Sequence, residues 1–303
     1  MRVIVIGGTG HIGSFLVPKL VELGHEVLVA TRGRKAVPDG DCWSQVERVK
    51  LPKAGGPALL AERRPETLID IVQAEATALY EALRGTCRHF IWCGSLWMLG
   101  PPAKVPTPEV RFGPALAEGY QRRMDELGDL QRRAQADGVA FTAILPPNIC
   151  GAGKVPLEMA GGRDVEVHKA HARGEAVPLF RGCGTLIGPC DAEDVAQGFW
   201  RALESRDAAA GEFFNVGSPY ALTATQMVEL FSEIYGAAIP IEWVSFERFT
   251  GEIMPDRGAS NHFLYHMCPD TTKARGRLSY QPRHTPESSM VRAVEWMRRE
   301  GLL

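Results

Sequence analysis

Met1-Arg-Val-Ile-Val-Ile-Gly-Gly-Thr-Gly-His-Ile-Gly13 opens the chain and decides its fold. Residues 3–6 are an unbroken run of β-branched side chains ending in glycines, the pattern of a central parallel strand buried on both faces. A tight strand-to-helix turn must follow. Gly8, Gly10 and Gly13 satisfy G-x-G-x-x-G, and Gly7, Gly10 and Gly13 satisfy G-x-x-G-x-x-G. Both spacings need glycine for a sharp turn, for backbone approach to a pyrophosphate and for close helix-sheet packing. The amphipathic run Ile12, Phe15, Leu16, Leu20, Leu23 then predicts a helix beginning near His11, whose positive end would receive the pyrophosphate.

Working outward, residues 26–30 complete a β-α-β unit and lead into Thr31, Arg32, Gly33, Arg34 and Lys35. An NAD site usually carries an acidic residue here for the ribose 2′-hydroxyl. Arg32, with Arg34 or Lys35, would instead bind a 2′-phosphate, so NADP is favoured and NAD is the alternative. The plainer reading of these cations is a solvated loop. Further buried strands are predicted at residues 67–72, 89–93 and 141–145, a short one at 46–51, and helices at 75–83 and 120–136. The class is therefore α/β, a Rossmann-type doubly wound parallel sheet. Asp70 interrupts an apolar run, as either a strand-end contact near the cofactor or a hydrogen-bonded loop residue. Ser95 follows a strand at the carboxyl end, where ligands bind in such sheets.

Composition removes several classes. A net charge of -2 over 303 residues offers no basic surplus and argues against nucleic acid as a partner. No apolar run reaches the eighteen or so residues of a membrane span, and Met1 leads directly into a strand, so a cytoplasmic location is expected. Seven cysteines, none in C-x-x-C, suggest reduced buried thiols. His262, His266 and Cys268 have ligand-type side chains without a metal-like spacing, and no metal is expected.

The chain resembles an extended short-chain dehydrogenase/reductase of the NAD(P)-dependent epimerase/dehydratase type. The resemblance rests on the Gly7, Gly10, Gly13 turn, on Cys93-Gly94-Ser95 with Gly100, and on Tyr120 twenty-five positions after Ser95. Leu145-Pro-Pro-Asn-Ile-Cys-Gly151, Asp191-Ala-Glu-Asp-Val-Ala196 and Glu212-Phe-Phe-Asn-Val-Gly217 extend it over most of the chain. It implies that Ser95 and Tyr120 polarise and protonate a carbonyl oxygen while nicotinamide gives or takes hydride. The implied cofactor contacts are Gly7, Thr9, Gly10, His11, Ile12, Gly13, Arg32, Arg34, Tyr120, Pro147 and Asn148. Residues 1–150, with about 186–217, would form the dinucleotide-binding domain, and 151–185 with 218–303 a smaller C-terminal substrate domain. The substrate would be a small molecule, and a homodimer is the candidate assembly.

One departure bears on function. The family's Tyr-x-x-x-Lys reads Tyr120-Gln-Arg-Arg-Met124 here. Bringing a phenol from about 10 toward 7 takes roughly 4 kcal/mol, which a thioether cannot supply. Arg123 could replace the charge in a different geometry. Leu145 also stands where the family usually has Arg. The leading reading is an NADP-dependent oxidoreductase or epimerase acting on a hydroxyl or carbonyl of a nucleotide sugar or secondary metabolite. The alternative is an impaired NADP-binding sensor or scaffold. Leu96-Trp97 replaces the Asp-Glu pair of the dehydratases and suggests an apolar pocket. His168, Lys169, His171 and Arg173 read as a solvated face, with an anionic substrate as the alternative. Helices opened by Thr223 and Thr285, the second with an apolar stripe of Met290, Val291, Val294 and Met297, read as packing elements.

If Arg32 selects the cofactor, Arg32→Ala should weaken NADP binding by about 1.5 to 3 kcal/mol and leave NAD nearly unchanged. Calorimetric titration of both dinucleotides checks it; tighter binding of NAD than of NADP by the unaltered protein would reject the assignment.

Overall fold

The computed structural model describes every residue except 34, 35, 39, 53 and 54. The chain lays down β1 (Arg2–Ile6), β2 (Glu26–Thr31), β3 (Glu47–Lys50), β4 (Thr67–Asp70), β5 (His89–Cys93) and β6 (Ala140–Leu145), with a seventh strand at Glu212–Asn215. All seven are parallel, in the spatial order seventh strand, β6, β5, β4, β1, β2, β3. Strand order therefore reverses between β1 and β4, which opens a crevice at their carboxyl ends.

Alternation of side chains on β1 explains why helices cover both faces. Val3 and Val5 pack with Leu16, Val17 and Leu20 of α1 (Gly13–Glu22), whereas Ile4 and Ile6 pack toward the opposite layer. That layer holds α2 (Gly56–Ala61), α3 (Ala76–Leu83) and α4 (Glu118–Asp137). Helix α5 (Val165–Ala172) lies elsewhere, while α6 (Ala192–Glu204) joins α1 on its face. Residues 150, 157–187, 222–263 and Met290 supply a third apolar core around Phe231, Phe249 and Phe263. Among the described residues no helix is long and apolar enough to cross a membrane.

Three sequence expectations need adjusting. The strand predicted at 67–72 stops at Asp70, because its carboxylate accepts the N–H of Val72 at 3.0 Å and of Ala74 at 2.9 Å and turns the chain out of the sheet. On α4 the helical spacing puts Tyr120, Met124, Leu127 and Leu130 or Gln131 on one face, but the buried stripe is Arg123, Leu127, Leu130 and Ala134; Tyr120 and Met124 are half-buried, and Gln131 donates to the Gly211 carbonyl. In the last helix, Pro286–Arg299, Val291 faces solvent and Ala293 takes its place in the stripe. Thr223 and Gln226 do form a reciprocal cap, and Gly236 ends that helix in the left-handed region at φ 66°.

The histidines of α5 do not form a solvated face. His168 is wholly buried, its Nδ1 2.9 Å from the Tyr235 hydroxyl and its Nε2 3.1 Å from the Pro156 carbonyl, and His171 packs on Phe231. Lys169 and Arg173 stay outside, paired with Glu166 and Glu175. Burial pushes both imidazoles down to about 4. They are neutral when folded but take up protons in the unfolded chain below its ordinary value of 6.5. The unfolded state thus binds more protons between pH 6.5 and 4, so stability is full above this window and falls through it as pH drops. Urea unfolding should show that fall. His168→Phe should start less stable, yet lose stability more gently by up to about 1.4 kcal/mol per pH unit; an unchanged slope would show that this imidazole is not the titrating group.

Candidate functional site

Parallel register brings the loop residues after four strands to one edge. Ile6 pairs with Ala30 and with Asp70, Asp70 with Trp92, and Cys93 with Ile144. Gly7, Thr31, Ile71 and Gly94 therefore leave the sheet side by side. Two adjoining depressions follow this edge. One, of about 510 Å³, is lined by Thr9, Thr31, Arg32 and the start of α2 at Gly55, Gly56 and Pro57. The other, of about 740 Å³, is lined by His11, Ile12, Ser95, Tyr120, Pro147 and Asn148. Gly7, Gly10, Val72 and Gln73 belong to both. A larger depression of about 1270 Å³ lies at the opposite end of the strands, around Cys87, Arg88 and Ala140. Size alone misleads here, because the glycine turn and the Ser-Tyr pair face the 740 Å³ cleft instead.

The glycine turn fits a dinucleotide. Gly7 sits at φ 87°, and a Cβ there would stand 2.3 Å from Val72 Cγ1. One on Gly13 would stand 2.2 Å from the Gly8 carbonyl oxygen, so the turn closes on itself only without side chains. No side chain caps the amino end of α1 and no acidic residue lies in its first turn, leaving that end suited to phosphate oxygens. Thr9 and Ile12 are buried within the turn, and His11 Nε2 lies 2.9 Å from the Ala152 carbonyl, tying the turn to the loop before Gly153. Asn148 Nδ2 is buried without a protein partner beside the cleft. Arg32 is exposed at the rim of the smaller depression, while Arg34 lies outside the described residues.

Ser95 and Tyr120 come together. Ser95 lies two residues beyond β5 and accepts the Trp97 N–H at 3.3 Å, capping a single turn at Leu96–Leu99, and its side chain stands beside the Tyr120 phenol at the cleft. Burial raises Tyr120 above the ordinary phenol value, the adjacent Ser95 side chain offsets part of that, and the neighbouring Cys93 adds to it. Among the described residues no cation contributes. Met124 packs with Tyr120 against the core on the α4 side, as a thioether must. Of the pair Leu96-Trp97, only Trp97 lines the cleft, and Leu96 turns into the core.

Arg123 does not stand in for the lysine. Its guanidinium is 5 % exposed and lies 3.2 Å from Asp70 Oδ2 and 2.9 Å from Glu126 Oε2, with the carbonyls of Ala74 and Cys93 at 3.3 and 3.4 Å. It also covers the Trp92 ring at 5.7 Å. Two carboxylates spend its charge. Burial raises the Asp70 carboxyl, against the pull of Arg123 and the two amides. The open question over Asp70 resolves as a buried anchor: it binds β4, the 71–74 loop and α4 together.

The sequence reading missed Gln73, Lys154, Leu157 and Arg163 in the cleft wall. Gln73 carried no signal, yet it adopts φ 54° and reaches toward the Gly94 carbonyl at 3.4 Å. His262 also lines the cleft, whereas His266 accepts the Leu186 N–H away from it. Among the described residues Asp191, Glu193 and His284 converge like metal ligands, but Arg292 bonds both carboxylates at 2.9 and 3.1 Å and fills the place of a cation.

Comparison with known proteins agrees with the fold. Residues 3–217 match the NAD dependent epimerase/dehydratase family. A UDP-glucose 4-epimerase from Corynebacterium glutamicum is 26% identical over 96% of this chain and 94% of the relative. The 2'-dehydrokanamycin reductase of Streptomyces kanamyceticus is 24% identical over 99% of this chain and 86% of the relative. A crystal structure of UDP-glucose-4-epimerase from Stenotrophomonas maltophila, with bound NAD and formylated UDP-arabinopyranose, superposes with a TM-score of 0.75 at 17% identity, covering 99% of each chain.

Because Asp70 and Arg123 are buried together, Arg123→Met should cost about 3 to 5 kcal/mol by leaving a carboxylate unpaired. Adding Asp70→Asn should return part of that loss. Urea unfolding of the two single variants and the double variant measures the coupling; strictly additive losses would mean that the pair does not act as a unit.

Proposed function

The chain belongs to the NAD dependent epimerase/dehydratase family, an extended short-chain dehydrogenase/reductase, and from that premise we propose that it is an NADP-dependent oxidoreductase that works as a carbonyl reductase on a nucleotide sugar or secondary metabolite. The observation that carries this reading is the juxtaposition of buried Ser95 and half-buried Tyr120 in one cleft, with no cation among the described residues acting to lower the phenol. A bound reduced nicotinamide supplies the hydride. Ser95 hydrogen-bonds the substrate carbonyl oxygen and polarises it. Tyr120, held protonated by burial, gives its proton to the oxygen as negative charge develops there. Met124 and the core beneath it keep water from the back of the phenol.

Direction follows from the same chemistry. Reduction consumes a proton and needs an acid, whereas oxidation of an alcohol needs a phenolate base. Epimerisation through a ketone needs both in alternation, so the absent lysine weighs against it more than against reduction. Arg32 at the rim of the smaller depression supports NADP over NAD. The same Met124 is the one observation that favours the second reading, an NADP-binding sensor or scaffold.

Turnover separates these. With NADPH and a panel of carbonyl compounds, including keto-sugar nucleotides, the unaltered protein should reduce faster than it oxidises the matching alcohols with NADP at pH 7. Tyr120→Phe should lower reduction by about 10² to 10⁴-fold, the worth of a general acid. Met124→Lys should raise oxidation near neutral pH and shift its pH dependence downward. Reduction that survives Tyr120→Phe rejects the phenol as acid, and cofactor binding without turnover in all three proteins favours the sensor.

A further inference from the structure

Beyond Ser95 and Tyr120, the cleft runs on between Trp97, Leu157 and the glycines at 161, 162 and 258 to Arg163 and His262. Not one Asp or Glu is among its lining residues. Arg163 precedes α5, and its Nη1 and Nη2 donate to the carbonyls of Val155 and Ile149, each at 2.8 Å. Those bonds fix the guanidinium plane while using two of its five N–H donors. Among the described residues no carboxylate lies within ion-pair distance of it. The buried Glu158 nearby is turned to its own loop, accepting the amides of Ala160 and Gly162. Removal from water works against the Arg163 charge and the field of Glu158 offsets only part of that, so the guanidinium stands to gain from a counter-charge supplied by a ligand.

His262 stands next to it on the helix Arg257–Leu264. Its ring meets Trp97 edge-on at 5.1 Å and 85°, and its Nδ1 is buried with no protein partner. Burial, with the Arg163 charge beside it, pushes this imidazole down to about 4, so it is neutral at pH 7. The cleft thus holds a fixed guanidinium with no carboxylate in ion-pair contact among the described residues, and a neutral imidazole whose Nδ1 has no protein partner.

We infer that Arg163 and His262 form the substrate-recognition subsite, and that the substrate carries an anionic oxygen group, phosphoryl or carboxylate, received by Arg163 with a hydrogen bond at His262. This inference rests on the carbonyl-reductase reading for the identity of the cleft, and it divides the two kinds of relative. A nucleotide sugar meets the requirement. An aminoglycoside, the substrate class named for the Streptomyces kanamyceticus relative, is a polycation and finds no carboxylate in the lining to bind it.

Titration calorimetry on the NADP-saturated full chain tests this with five probes: UDP, glucose 1-phosphate, glucuronate, galactose and kanamycin. UDP and glucose 1-phosphate separate a nucleoside diphosphate from a bare phosphate, and glucuronate reports a carboxylate. At least one anion should bind, tenfold or more weaker in Arg163→Gln, with part of the affinity restored in Arg163→Lys and several-fold lost in His262→Phe. Rising salt should weaken it, while galactose and kanamycin should show no heat of binding. NADP affinity in Arg163→Gln should stay unchanged, which separates a lost contact from a lost fold. Binding of kanamycin or galactose in preference to every anion, anion affinity indifferent to Arg163→Gln, or no binding of any anion would overturn the assignment. If anions depend on Arg163 while reduction survives Tyr120→Phe, the subsite stands and the reading of the chemistry falls.

Discussion

Asp70 is the constraint from which the site is built. A carboxylate at the end of a central strand, with no exposure at all, must have its lone pairs filled, and it fills them with two amides of its own loop and the Arg123 guanidinium. The amide bonds end β4 and lead Val72 and Gln73 over Gly7. The guanidinium draws α4 down onto β4 and β5. Ser95 leaves β5 two residues beyond Cys93, whose carbonyl also contacts Arg123, and Tyr120 sits one turn before Arg123 on α4. One buried ion pair therefore sets the depth at which the phenol meets the hydroxyl.

The same arrangement explains why the missing lysine is not replaced by its neighbour. Arg123 is close in sequence to the vacant position, but a guanidinium already facing two carboxylates has little field left for a phenol, and turning it outward would strand Asp70 in the core. Met124 in turn joins the apolar side of α4. Tyr120 is left as a weak acid in a dry setting, a state suited to giving a proton rather than taking one. Farther along the cleft the balance is reversed: among the described residues no carboxylate is in ion-pair contact with Arg163, which is what the proposed anion subsite draws on.

Much of the fold was legible because its signals are local. A β-branched run before glycines, an amphipathic stretch after them and the Thr223 cap each report physics confined to a few neighbouring residues. Boundaries failed where a distant partner intervened. Residues 67–72 are all compatible with a strand until the side chain of Asp70 takes the amides that Val72 and Ala74 would otherwise offer. His168 and His171 looked solvated because their neighbours Lys169 and Arg173 are charged, yet helical geometry turns the two histidines onto the Phe231 and Tyr235 side while the cations face out.

By itself, then, the sequence determined the parallel sheet and the glycine turn that suits a pyrophosphate, because each depends on residue type at short separation, while the pairing of Ser95 with Tyr120 and the missing lysine were legible only through the family resemblance. Only the tertiary structure decided what Arg123 does, since a guanidinium one turn from Tyr120 could face either the phenol or the core, and the fully buried Asp70, fifty-three residues away, settles it. It alone brought Arg163 and His262, ninety-nine positions apart, to one wall of the cleft. Charges and ring nitrogens act through space, and the distances that govern them exist only once the chain has closed upon itself.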